Sequence, residues 1–164
     1  MIGSDLISLL ARLHDAGVDF LVVGGAAAVF SGAPIVTFDL DIVHRRTPEN
    51  VDRLLAWLLE HGAYHRLDLA DRRLPPTRGP LLGAGHLNLQ TDLGKLDVLC
   101  ELAQGEGYDE LLPHAFEHKV AGRSVRVLGL EKVTEAKARA GRPKDKAVLP
   151  VLLATLDERR KAKL

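Results

Sequence analysis

Val22-Val23-Gly24-Gly25-Ala26-Ala27-Ala28-Val29-Phe30-Ser31-Gly32-Ala33-Pro34-Ile35-Val36-Thr37-Phe38-Asp39-Leu40-Asp41-Ile42 is the stretch on which the fold turns. It begins inside an apolar run, Phe20 to Val23, of a length that suits a buried strand. Gly24-Gly25 breaks that run, and the small residues Ala26 to Ala28 predict a short helix closing at Gly32-Ala33-Pro34. From Phe38 to Val43 the pattern becomes alternation, with Leu40 and Ile42 on one side and Asp39 and Asp41 on the other. The order is strand, tight turn, helix, strand, and the last strand carries two carboxylates on one face.

Upstream, Leu6, Leu9, Leu10 and Leu13 recur at helical spacing, with Ser4 as the expected N-cap and Gly17 as the stop. Downstream, Thr47-Pro48 opens a helix whose stripe of Val51, Leu54, Leu55, Leu58 and Leu59 ends near Gly62. Residues 63 to 85, with Pro75-Pro76 and Gly79-Pro80, predict a long connection holding one strand around Tyr64 to Leu69. Two hairpins follow. One joins His86–Thr91 to Lys95–Cys100 through Asp92-Leu93-Gly94, and the other turns at Ala121-Gly122. The end is helical: one helix from about Leu130 to Ala140 stopped by Gly141, then one after Pro143 carrying Leu149, Leu152, Leu153 and Leu156, with a kink expected at Pro150. No internal repeat is visible.

The 164 residues are 46% hydrophobic and 27% charged, the range of a chain that buries one core. Twenty-two basic and twenty-two acidic residues cancel, which excludes a general nucleic-acid or membrane-surface binder, although residues 131–164 hold ten basic against five acidic. One cysteine, Cys100, excludes an internal disulfide, and with no apolar run of spanning length a soluble, cytoplasmic protein is expected. Aromatic residues are only 4%, too few for stacking-driven binding of single strands.

The chemistry therefore has to come from local constellations. Asp39 and Asp41 can converge on one hard cation such as Mg²⁺, which takes carboxylate, phosphate and water oxygens. The plainer alternative is a solvent-facing strand with two surface acids. Asp97, inside Leu96-Asp97-Val98-Leu99-Cys100, is a carboxylate where strands disfavour one, and it is costly if buried alone. A shared metal would resolve that cost; an ion pair with Lys95 on the same face would too. Gly24-Gly25, fourteen residues before the acid pair, offers unobstructed backbone N–H groups to a phosphate. Lys137, Arg139, Arg142, Lys144 and Lys146 surround a single acid, Asp145, and would face either a triphosphate or solvent.

Taken together, these features resemble the DNA polymerase beta-like nucleotidyltransferase superfamily, and within it the small bacterial branch of minimal nucleotidyltransferases and abortive-infection type toxins. The first motif there is a Gly-Gly or Gly-Ser after the first strand, a short helix, and a threonine two residues before Asp-x-Asp, matched by Gly24, Gly25, Thr37, Asp39 and Asp41. The third acid on a later strand is matched by Asp97, and a distal lysine, arginine and Lys-Asp by Lys137, Arg142, Lys144 and Asp145. The resemblance implies an α/β (α+β) fold: a small mixed sheet flanked by helices, with a core over 1–128 and C-terminal helices over 129–164. It implies Mg²⁺, with room for two ions, held by Asp39, Asp41 and Asp97, the last assisting deprotonation of the attacking hydroxyl. It further implies that Gly24, Gly25, Thr37, Lys137, Arg142, Lys144 and Asp145 belong to a nucleoside-triphosphate site, with Lys137 and the segment 142–145 either neutralising phosphates or ordering the C-terminal helices against it. The acceptor would be a hydroxyl on protein, tRNA or a small molecule. A toxin-antitoxin or phage-defence setting, in which a protein partner is expected, fits that branch; a membrane partner is not expected. One position departs: many relatives carry a basic residue two before the threonine, where this chain has Ile35.

Two other readings compete. A non-catalytic descendant would use the same cleft to bind a nucleotide, RNA or protein. A haloacid-dehalogenase-like phosphatase would use Asp39 as nucleophile and Asp41 as general acid, but it has Ile42 where a glycine is usual and leaves Gly24-Gly25 without a role.

Overall fold

The computed structural model describes residues 1–102 and 105–164. Helix α1 (Ser4–Asp15) leads into β1 (Phe20–Val23), α2 (Gly24–Phe30) and β2 (Asp39–His44). Then come α3 (Pro48–Glu60), β3 (Tyr64–His65), α4 (Arg78–Leu82) and the β4 (His86–Thr91) and β5 (Gly94–Leu99) hairpin. After α5 (Tyr108–Leu111) and a 3₁₀ turn, β6 (Ala115–Val120) and β7 (Arg123–Leu128) form the second hairpin, followed by α6 (Leu130–Ala140) and α7 (Pro143–Ala162). The described strands make one mixed sheet in the order β3-β4-β5-β2-β1-β7-β6.

Strand β2 lies near the middle, antiparallel to β1 and parallel to β5. Its alternation divides the sheet. Leu40 and Ile42 stand in register with Leu96 and Val98, and these with Leu89 and Leu87, all buried. This face is covered by α1, whose Leu6 reaches Gly94 on the same side of β5. The opposite face carries the row Asn88, Asp97, Asp41 and Val23. There α2 packs on β1, β2, β7 and α6, and α6 packs on α7.

Local chemistry explains the element ends. The Thr47 hydroxyl accepts from the Asn50 N–H at 3.3 Å and Pro48 occupies the first turn of α3, as expected of a capped start. Gly141 stops α6 in the left-handed region, its N–H bonded to the Lys137 carbonyl at 3.1 Å.

Several expectations need correction. The cap of α1 is Gly3, with Ser4 already helical. Strand β2 begins at Asp39 because Phe38 precedes the ladder and is exposed. The third strand shrinks to Tyr64–His65, because the chain turns at Arg66 and Leu67 and folds back so that the His65 N–H bonds the Leu74 carbonyl. A short α4 occupies part of the connection. The turn of the first hairpin is Asp92-Leu93, with Gly94 paired to Thr91 as the first residue of β5, which ends at Leu99.

Candidate active site

The parallel pairing of β2 with β5 sets Asp41 directly opposite Asp97 and Asp39 opposite Lys95. Residues paired across neighbouring strands share a face, so register alone crowds two carboxylates. The consequence is electrostatic. Burial, then the charge of Asp97 and a hydrogen bond shared with it, push the Asp41 carboxyl from 3.8 up to about 7; Lys137 pulls the other way and Asp39 adds a further push. The Asp41 carboxyl therefore keeps its proton up to near-neutral pH.

The turn before α2 is built around Asp41. Gly24 has φ +63°, and a Cβ there would lie 2.2 Å from an Asp41 carboxylate oxygen, so a side chain is excluded. A Cβ on Gly25 would lie 3.1 Å from the Thr37 hydroxyl, which itself donates to the Asp39 carbonyl at 3.1 Å and shapes the entry into β2. Ile35 packs against the hydrophobic core.

A cavity of about 500 Å³ adjoins Gly24 and Asp41. Its apolar wall includes Leu99, Leu128, Val133 and Ala136, and Lys137 and Arg142 supply its positive charge. Size and lining suit a small organic ligand with an anionic group. Lys137 and Arg142 are held by Asp145, which is buried: Lys137 Nζ is 3.5 Å from one carboxylate oxygen, and Arg142 Nε donates to the other at 2.7 Å. Asp145 also accepts from the Arg142 backbone N–H at 3.3 Å, closing the first turn of α7. Burial by itself would raise the Asp145 carboxyl, but the Arg142 hydrogen bond and charge and the Lys137 charge outweigh it and hold the carboxyl below 3.8.

The structure thus brings Gly24, Asp41, Lys137 and Arg142 around one cleft, with Asp145 holding the two cations, while Asp97 and Asp39 adjoin Asp41 on the sheet face without lining the cavity. Lys144 and Lys146 are exposed and do not line the cavity. Arg139 pairs with Glu135 at 2.6 Å.

Arg66 is the residue that sequence reasoning missed. It follows the two-residue β3, and its guanidinium donates to the Asp97 carboxylate at 2.5 Å and to the Leu89 carbonyl at 3.0 Å. Its other terminal nitrogen is 3.7 Å from Asp39. Asp97 is therefore paired with Arg66, where Lys95 had been the alternative partner. Among the described residues no three His, Cys, Asp or Glu side chains are already gathered at metal-binding geometry, and two of the three acids, Asp97 and Asp39, are turned to this guanidinium. The donor set still fits a hard divalent cation: only carboxylate oxygens, two of them crowded enough to retain a proton without one.

No family model matches the chain, and no curated protein matches it. Solved structures do. TM1012 of Thermotoga maritima, described as a nucleotidyltransferase, superposes with a TM-score of 0.60 at 19% identity, covering 94% of this chain and 96% of its own. The lincosamide antibiotic adenylyltransferase LnuA, solved with lincomycin bound, gives a TM-score of 0.63 at 13% identity over 94% of this chain and 98% of its own. ANT(2″)-Ia, solved with adenylyl-2″-tobramycin, gives 0.59 at 18% identity over 96% and 92%. The chain has the nucleotidyltransferase fold along nearly its whole length.

Proposed function

We propose that this chain transfers a nucleoside monophosphate from a nucleoside triphosphate to a hydroxyl acceptor. The observation that carries the reading is the in-register crowding of Asp41 and Asp97 beside Gly24, with Asp41 lining a cavity that Lys137 and Arg142 also line. Asp39, Asp41 and Asp97 would hold Mg²⁺, which when bound neutralises the charge of the transferring phosphate. Backbone at Gly24 and Gly25 gives the phosphates room, and Lys137 and Arg142 offset their charge; Thr37 keeps the turn into β2 in place. The acceptor oxygen forms a bond to the α-phosphorus as the bond to the bridging oxygen breaks, pyrophosphate leaves, and Asp97 takes the hydroxyl proton.

The fold neighbours solved with lincomycin and with adenylyl-2″-tobramycin support a small molecule as the first acceptor class to try, ahead of protein or tRNA. The likeness of the first motif to the abortive-infection branch supports a toxin role, which expression of wild type and Asp41→Asn in a bacterial host examines through growth arrest.

Calorimetry with ATP, CTP, GTP and UTP, with and without Mg²⁺, followed by transfer of labelled nucleotide in a cell extract, tests the reading. Wild type should bind and transfer, Asp39→Asn with Asp41→Asn should do neither, and Lys137→Ala should raise the nucleotide KM. Unchanged transfer by the double variant overturns it. A second reading, nucleotide binding without transfer, is favoured by the Arg66 contacts and by Ile35; binding with no labelled product in any extract would establish it. The phosphatase reading draws no support from the fold neighbours, which are nucleotidyltransferases.

A further inference from the structure

Two carboxylates, Asp97 and Asp39, meet one guanidinium on this sheet, with the charge of Asp41 nearby. The backbone N–H of Arg66 donates to the Asn88 carbonyl at 3.0 Å, which starts the side chain from the row that continues through Asn88, Asp97 and Asp41. From there it crosses the sheet face, bonds Asp97 and Leu89, and ends near Asp39, with only 16% of the side chain exposed. A desolvated cation in that position does what a bound metal would do: it offsets like charges that cannot otherwise coexist.

A divalent cation shared by Asp41 and Asp97 would compete with Arg66 for Asp97, one of whose oxygens the guanidinium already binds, and its two positive charges would repel the guanidinium. The two charges compete for the same carboxylate. Arg66 is also placed to leave. It sits just past a two-residue edge strand, and the chain from it to Arg78 forms no helix or strand, so its withdrawal breaks few backbone hydrogen bonds.

We infer that Arg66 is a displaceable counter-ion of the acid site, occupying the cation's place in the resting protein and exchanged for the cation when the site loads. The inference rests on the metal-dependent reading above and adds a positioning residue to it: Arg66 holds Asp39 and Asp97 in place until the cation arrives, and it sets how tightly the bare cation binds.

Titration of the full chain with Mn²⁺ alone, following free Mn²⁺ by electron paramagnetic resonance, tests this in wild type, Arg66→Gln and Arg66→Lys. Removing the competing charge should tighten Mn²⁺ binding by about tenfold or more in Arg66→Gln, with Arg66→Lys between the two because one amine cannot span both acids. In wild type, the guanidinium proton resonances of Arg66 should move and enter fast solvent exchange on addition of Mg²⁺, a readout that stands if Arg66→Gln does not fold. Equal or weaker Mn²⁺ affinity in the folded variants, or Arg66 resonances unmoved by saturating Mg²⁺, overturns the inference while leaving the metal reading intact. Absence of Mn²⁺ binding from all three proteins, with no nucleotide binding by wild type, overturns both.

Discussion

Asp41 gives the metal-free protein a pH-dependent weakness of calculable sign and size. Its carboxyl titrates near 7 in the folded chain against 3.8 ordinarily, because burial and Asp97 favour the neutral form. Between those values the unfolded chain has lost the proton that the folded chain keeps, so the folded state binds more protons and stability falls as pH rises. The interval from 3.8 to about 7 corresponds to about 4 kcal/mol as an upper bound, complete once pH passes the folded value. For a chain of this length that is roughly 8–16 °C in Tm. Asp41→Asn removes the titration and leaves an amide that can donate to Asp97. The assay is differential scanning calorimetry of both proteins in chelator at intervals from pH 4 to 8.5. The variant should gain on wild type as pH rises, and millimolar Mg²⁺ should close the gap by stabilising wild type alone. Parallel Tm profiles across the whole range would refute the claim that the site is electrostatically strained.

Two further outcomes follow from the geometry. Gly24→Ala places a methyl 2.2 Å from Asp41 at φ +63°, and should cost about 1–2 kcal/mol in urea denaturation together with ATP binding by calorimetry, whereas Gly25→Ala, 3.1 Å from Thr37, should be milder on both. Asp145→Ala removes the closure of the first turn of α7 and should cost about 1–2 kcal/mol at neutral pH. Since the Asp145 carboxyl is held below 3.8, that contribution is present above 3.8 and is lost as pH falls through the folded value, so chemical denaturation of wild type and variant should converge in acid.

The acid pair was legible because a strand has period two: once Leu40 and Ile42 are buried, Asp39 and Asp41 have one face left to occupy. The strand position of Asp97 was equally legible, but its register against Asp41 is a property of β2–β5 pairing across 56 residues, which no local pattern encodes. Arg66 was hidden for a different reason. Its partner is 31 residues away, and it lies in a proline-rich connection whose strand is too short to show alternation. Nothing in periodicity distinguishes it from the neighbouring Arg72, which only clips Asp68. In the distal basic segment the count of charges suggested a phosphate face. Burial of Asp145 shows that part of that charge is already used to join α6 to α7.

The strand order has a consequence for timescales. Asp41 and Asp97 stand on strands paired on both sides, whose amides exchange only when much of the sheet opens, while Arg66 hangs from the end of a two-residue edge strand paired on one side. The two ends of one ion pair thus belong to regions with different opening frequencies. Arg66 can come and go on the clock of the sheet's edge, while the carboxylates it pairs with keep time with its centre.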